Sequence, residues 1–188
     1  MNAIFLDRDG VINRYPGDTK YVTACREFRF LPRAKIAIAK LHKNGFKIFV
    51  ISNQAGVSKG LFSQEVLDSI TQKMLTAIEK SQGKIDAVYY CTHRQEEDCS
   101  CRKPKAGLIA LAKNNYAIDL KDSFFVGDTM RDVYTAQAAG CKSILVLSGK
   151  EKLSNRKNWE VQPDFIFRDL YEATGFILNP VRKPKTNH

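Results

Sequence analysis

Short apolar runs alternate along the chain with longer stretches whose apolar residues recur three or four apart. Residues 3–6 (AIFL) form an unbroken apolar run closed by turn residues, the pattern of a buried strand. Pro32 suits the first turn of a helix. Ala34, Ala37, Ile38 and Leu41 then recur at helical spacing, and Gly45 stops the run. Residues 47–51 (KIFVI) read as a second strand. Ser63 is an N-cap for a helix with an apolar face of Val66, Leu67, Ile70, Met74, Leu75 and Ile78, ended by Gly83. A third strand at 86–90 (DAVYY) precedes a helix over 106–115 with Leu108, Ile109 and Leu111 inward. Strands at 123–126, 143–147 and 164–167 follow, with a helix to Ala139, capped by Gly140, between the first two. Strand–helix–strand units of this length close parallel and right-handed. The expected fold is therefore α/β, a three-layer doubly wound, Rossmann-like, mostly parallel sheet. Residues 1–178 are expected to form one domain. Residues 179–188, polar and proline-bearing, are expected to be a C-terminal tail.

The polar residues that interrupt this pattern gather at strand ends, where open parallel sheets bind ligands. Asp7 and Asp9 follow the first strand, with Gly10 behind them and a loop over 11–21 that can cover them. Ser52, Asn53 and Gln54 follow the second strand, Cys91 and His93 the third, and Asp128 the fourth. A lone Asp after a strand is ordinarily a cap or a turn. Three carboxylates at one sheet edge repel, and a hard divalent cation on oxygen ligands relieves them, which points to Mg²⁺ on Asp7, Asp9 and Asp128. Asp132, four residues after Asp128, can support that shell. Lys103 is the candidate for a second positive charge, able to clamp a phosphoryl group. Ser52 and the amides after it can donate to phosphate oxygens.

There are five cysteines, an odd number. With no sign of export, a disulfide framework is not expected. Cys25 and Cys141 are isolated and read as buried or incidental thiols. Cys91-x-His93 and Cys99-x-Cys101 supply four ligands for one tetrahedral Zn²⁺, structural because the protein fills every position. The loop over 91–101 would then pin Arg102 and Lys103.

Bulk properties trim the options. The 188 residues are 44% hydrophobic and 27% charged, ordinary for a soluble domain. No apolar window is long enough to span a bilayer, and no basic flank leads into an apolar segment at the N-terminus. A cytoplasmic protein without membrane contact is expected. The net charge of +10 admits nucleic acid or small anionic substrates. Its basic clusters, 150–157 and 182–185, are not interleaved with aromatics, so nucleic acid is not the expected partner.

The motifs DRDGV at 7–11, SNQ at 52–54, Lys before Pro at 103–104 and GDTMRD at 127–132 together resemble the four motifs of the haloacid dehalogenase-like phosphatases. The resemblance implies Asp7 as nucleophile and Asp9 as general acid and base. It implies Ser52 and Lys103 as stabilisers of the phosphoryl group, and Mg²⁺ held by Asp7, Asp128 and the backbone carbonyl of Asp9, with Asp132 in support. Cys-x-His ahead of Cys-x-Cys-Arg-Lys-Pro is similar to the heptose 1,7-bisphosphate phosphatases and the related histidinol phosphatases, a branch without a large cap domain. It implies Arg102 as the grip on a distal group such as a second phosphate. Asn53 and Gln54 are expected as further substrate contacts. The expected reaction is Mg²⁺-dependent hydrolysis of a small sugar bisphosphate, the 7-phosphate of D-glycero-D-manno-heptose 1,7-bisphosphate, by a monomer. Histidinol phosphate is the alternative substrate. A nucleic-acid 3′-phosphatase and a non-catalytic module built on the zinc loop are the other readings. The sequence departs from the pattern in a short zinc loop, in Thr129 where some heptose enzymes carry Lys, and in a longer segment at 15–20.

Overall fold

The computed structural model describes residues 1–179; the expected tail beyond Asn179 lies outside the described residues. Six strands form one sheet: β1 (Asn2–Leu6), β2 (Lys47–Asn53), β3 (Ala87–Cys91), β4 (Asp119–Gly127), β5 (Lys142–Val146) and β6 (Phe165–Phe167). Their order is β3-β2-β1-β4-β5-β6, and every pairing is parallel. A strand buried on both faces must be apolar at successive positions. Ala3, Ile4, Phe5 and Leu6 accordingly have no exposure at all.

Alternation along β1 divides the core. Ile4 and Leu6 pack with α1 (Ala34–Lys43), α2 (Gln64–Glu79) and α5 (Leu170–Leu178), whereas Ala3 and Phe5 pack with α3 (Gly107–Asn115) and residues of α4 (Met130–Ala139). Phe5 stacks between Phe49 and Phe125, with centroids 5.6 and 6.4 Å away. Burying a side chain of this size contributes roughly 1.5–3 kcal/mol, so the central layer is firmly seated.

Chain order reverses on either side of β1. Its neighbours are β2 and β4, whose crossovers run to opposite edges, and the crevice between their C-terminal ends is the standard binding place of this architecture. Two expectations need correction. Leu111 faces solvent, 45% exposed, because the inward stripe of α3 is Leu108, Ile109 and Ala112. Ser52 and Asn53 belong to β2 instead of following it. No helix among the described residues is long and apolar enough to cross a membrane.

Candidate active site

Asp7 leaves β1 with its backbone amide still bonded to the Val126 carbonyl of β4, 3.0 Å away. Its carboxylate is thereby fixed at the switch point. Lys103 reaches it from a segment almost a hundred residues away. The Lys103 Nζ lies 2.8 Å from Asp7 Oδ2 and 2.6 Å from Asp132 Oδ1, and the side chain is buried. Burial disfavours the ammonium form, but the carboxylates of Asp132 and Asp7 more than offset it and raise the Lys103 pKa. The lysine is therefore a fixed positive charge between two acids.

The third acid is less well compensated. Asp128, at the end of β4, accepts the Lys150 backbone N–H at 2.8 Å. Burial, then repulsion from Asp7 and Asp132, pushes its pKa well above the ordinary carboxylate value. Carboxylate oxygens of Asp7, Asp128 and Asp132 lie within 4.8 Å of one another. An all-oxygen set with more negative charge than its one lysine can neutralise fits Mg²⁺. Backbone geometry keeps the place tight. A side chain at Gly10 or Gly149 would run into the Asp128 carboxylate, and Gly10 also has a φ of +86°, which favours glycine. Asp132 spends one oxygen on Lys103 and the other on the amide and hydroxyl of Thr129, at 3.0 and 2.7 Å. Both of its oxygens are therefore engaged within the site.

Three expected roles change. The Asp9 carboxylate is outside the acid cluster. It accepts from Arg8, from Asn13 Nδ2 at 2.8 Å and from Gln54 Nε2 at 2.9 Å. Burial pushes its pKa up, but the Arg8 charge and these hydrogen bonds bring it below the ordinary value. As a side chain it is not placed to ligate Mg²⁺, leaving only its backbone carbonyl for that role. Gln54 is no substrate contact either: it is fully buried and spends its amide on Asp9, Ser52 and Arg8. Asn53 lines the cleft but grips Lys103, donating to its carbonyl and accepting from its amide, both at 3.1 Å. Ser52 lies on the cleft beside Asp7, as anticipated.

Cys91, His93, Cys99 and Cys101 converge. The three Sγ–Sγ separations are 3.2, 3.3 and 3.6 Å, and His93 Nδ1 lies 3.2 Å from Cys101 Sγ and 3.8 Å from Cys91 Sγ. A tetrahedral zinc with Zn–S bonds of ~2.3 Å has S–S edges of ~3.8 Å, so the four residues fit that ion with slight contraction. All five cysteines are free thiols. The loop also carries Arg102, whose Nη1 donates to the His93 carbonyl at 3.1 Å.

These groups open onto a cleft of about 530 Å³. Residues 15–21 line one wall, so the loop after Gly10 does cover the acids. It is latched there: Asp18 Oδ1 accepts from the Tyr15 hydroxyl and pairs with Lys150 Nζ, both at 2.6 Å. The mouth carries Lys20, Lys59, Arg102 and Arg131, none in an ion pair among the described residues. Sequence reasoning missed Arg8, Asn13 and Lys150. For Arg8 the available signal was a basic residue between two strand-end acids.

Comparison with known proteins agrees with this geometry. A HAD-hydrolase-like family model matches residues 100–173. A Pseudomonas putida protein named D-glycero-beta-D-manno-heptose-1,7-bisphosphate 7-phosphatase is 34% identical over 170 residues, covering 90% of this chain and 95% of that one. A Chlorobaculum tepidum D-glycero-D-manno-heptose-1,7-bisphosphate 7-phosphatase is 35% identical, covering 94% of each chain. The crystal structure of a B. bronchiseptica D,D-heptose 1,7-bisphosphate phosphatase complexed with magnesium and phosphate superposes with a TM-score of 0.90 at 32% identity. It covers 96% of this chain and 99% of that one.

Proposed function

We propose that this chain, which belongs to the haloacid dehalogenase-like hydrolases in the family of the heptose bisphosphate phosphatases, removes the 7-phosphate of D-glycero-D-manno-heptose 1,7-bisphosphate. The observation that carries the reading is the single cleft shared by Asp7, Asp9, Ser52, Lys103 and Asp128. An Asp7 carboxylate oxygen bonds to phosphorus, and the P–O bond to the sugar breaks with its electron pair going to the sugar oxygen. Asp9 gives that oxygen its proton. Asp9 then takes a proton from water as the water oxygen bonds to phosphorus and the Asp7–phosphoryl bond breaks, which restores Asp7 and releases phosphate. Lys103 and Ser52 stabilise the charge on the transferring oxygens. Bound Mg²⁺, held by Asp7 and Asp128 with the Asp9 backbone carbonyl and Asp132 in support, would offset the negative charge of acids and phosphoryl group together.

The unpaired cations at the mouth favour a bisphosphate over histidinol phosphate. With Lys103 committed to Asp7 and Asp132, Arg102 is the arginine that the zinc loop presents to a distal phosphate. Phosphate release from the heptose bisphosphate and from histidinol phosphate, with ³¹P NMR to identify the group lost, tests the reading. Loss of the 7-phosphate, abolished by Asp7→Asn, is expected. Arg102→Ala should weaken turnover of the bisphosphate by roughly 10–100-fold, the worth of a charge-assisted hydrogen bond, and leave histidinol phosphate unaffected. Turnover by Asp7→Asn near the wild-type rate would overturn it.

A further inference from the structure

Arg8 heads the large side chains that the fold buries completely, and no step above uses it. Its Nη2 lies 2.9 Å from Asp9 Oδ2 and 3.2 Å from Oδ1, and its Nε lies 3.3 Å from Oδ1. Nη2 also donates to Gln54 Oε1 at 3.0 Å. The Tyr90 ring lies 5.7 Å from the guanidinium carbon, and Nη1 has no hydrogen-bond partner among the described residues. A buried guanidinium with one nitrogen left over is a poor way to fill space, since an apolar side chain of similar volume packs there at lower cost. The group is therefore explained by what it holds.

What it holds is the Asp9 carboxylate, and nothing else in the reacting set. Its only contact with Asp7 is a backbone N–H at 2.7 Å from Oδ1, which any non-proline residue would supply. At Asp9 both oxygens face Arg8, with Asn13 added on Oδ1 and Gln54 on Oδ2. Asn13 and Gln54 each hold one oxygen through a neutral amide. The planar guanidinium is the one charged donor, and it meets both oxygens at once, so it contributes most to holding the carboxyl group in one orientation.

We infer that Arg8 is the positioning residue of proton transfer, acting through Asp9 alone to aim its carboxyl group at the leaving oxygen. The inference rests on the proton-transfer role given to Asp9 above. It predicts an effect that depends on the leaving group. A sugar alkoxide needs its proton, whereas a nitrophenolate departs without one.

The test compares turnover of the heptose bisphosphate and of an aryl phosphate by the full-length Mg²⁺-loaded enzyme and its Arg8→Met, Asp9→Asn and double variants. General acid assistance is worth about 10²–10⁴-fold. Arg8→Met should lose ~10–100-fold in kcat on the sugar phosphate and a much smaller factor on the aryl phosphate, with KM for both little changed. The double variant should be no slower than Asp9→Asn, because the two residues act as one unit. The melting temperature of Arg8→Met should fall, because the Asp9 carboxylate stays largely buried and loses its charge partner. Arg8→Lys, which keeps the charge and loses the bidentate geometry, should show the same selectivity at smaller size, and it carries the test if Arg8→Met does not fold. Equal losses on both substrates, or additive losses in the double variant, would overturn the inference alone if Asp9→Asn is itself selective. If Asp9→Asn is not selective, the proton role of Asp9 falls and the inference falls with it.

Discussion

Replacing Asn53 by Ala separates a residue that positions Lys103 from one that holds substrate. Asn53 makes two neutral hydrogen bonds to the Lys103 backbone, each at 3.1 Å and partly buried. At about 0.5–1.5 kcal/mol apiece the pair contributes roughly 1–3 kcal/mol. For a chain of this length that is a fall in Tm of roughly 2–12 °C, readable by calorimetry or thermal shift. The Lys103 ammonium remains drawn to Asp7 and Asp132, but its backbone loses its tie to β2. A displacement of even about 1 Å in a group that stabilises the transferring charge can cost roughly 100-fold in rate. Steady-state kinetics on the bisphosphate should therefore show kcat down by about 10–100-fold with KM nearly unchanged. Asn53→Asp should be at least as slow, because it retains the acceptor for the Lys103 N–H but turns an oxygen toward the Lys103 carbonyl. A variant with raised KM, unchanged kcat and unchanged Tm would refute the reasoning and return Asn53 to the substrate contacts.

Metal analysis of purified protein should find about one zinc per chain. Cys101→Ser, two residues before Lys103, should lower zinc content, Tm and kcat together; a zinc-free protein of full activity would contradict this. Asp128→Asn keeps the acceptor for the Lys150 amide and removes one of three crowded charges. It should raise the melting temperature of the metal-free protein while abolishing the stabilisation that Mg²⁺ gives the wild type, seen by thermal shift with and without the ion. Gly149→Ala drives a methyl into the Asp128 carboxylate and should raise the Mg²⁺ concentration needed for half-maximal rate. Lys150→Ala keeps the backbone amide on Asp128 and loses only the Asp18 pair, so it should leave that Mg²⁺ requirement unchanged and expose residues 15–21 to limited proteolysis.

The strand ends were legible because burial on both faces demands unbroken apolar runs, and the polar residues that close those runs stand out. The Cys/His cluster was legible because four residues able to ligate a metal fall within eleven positions. Gln54 was misread because β2 continues through Asn53. A loop there would have let Ser52, Asn53 and Gln54 all face a ligand. A strand alternates them, so Ser52 and Gln54 meet each other at 3.2 Å while Asn53 turns to Lys103. The Asp9 carboxylate was misassigned for a related reason. Sequence spacing puts two acids near one metal but says nothing of a neighbouring arginine buried deeply enough to claim one of them.

Lys150 also gives the basic stretch at 149–163 a local meaning that net charge could not. The cleft walls carry six basic residues (Lys20, Lys59, Arg102, Lys103, Arg131 and Lys150) against six acidic ones (Asp7, Asp9, Asp18, Asp128, Asp132 and Glu151). The excess of +10 therefore lies on the rest of the molecule, and the cleft is balanced before any ion or substrate enters. Within that balance the charges are segregated by depth. Lys103, in the interior, is held by acids, and Lys150 is spent on the loop latch; the cations with no ion pair among the described residues stand at the mouth. A fold with no cap domain has only loops to cover its substrate. Here the segment 148–151 both steadies Asp128 and holds the covering loop, through Ser148 Oγ on the Gly10 carbonyl at 2.7 Å and Lys150 on Asp18. The acid that would meet the metal and the wall that would meet the sugar thus share one support, and a displacement of that segment must disturb both at once.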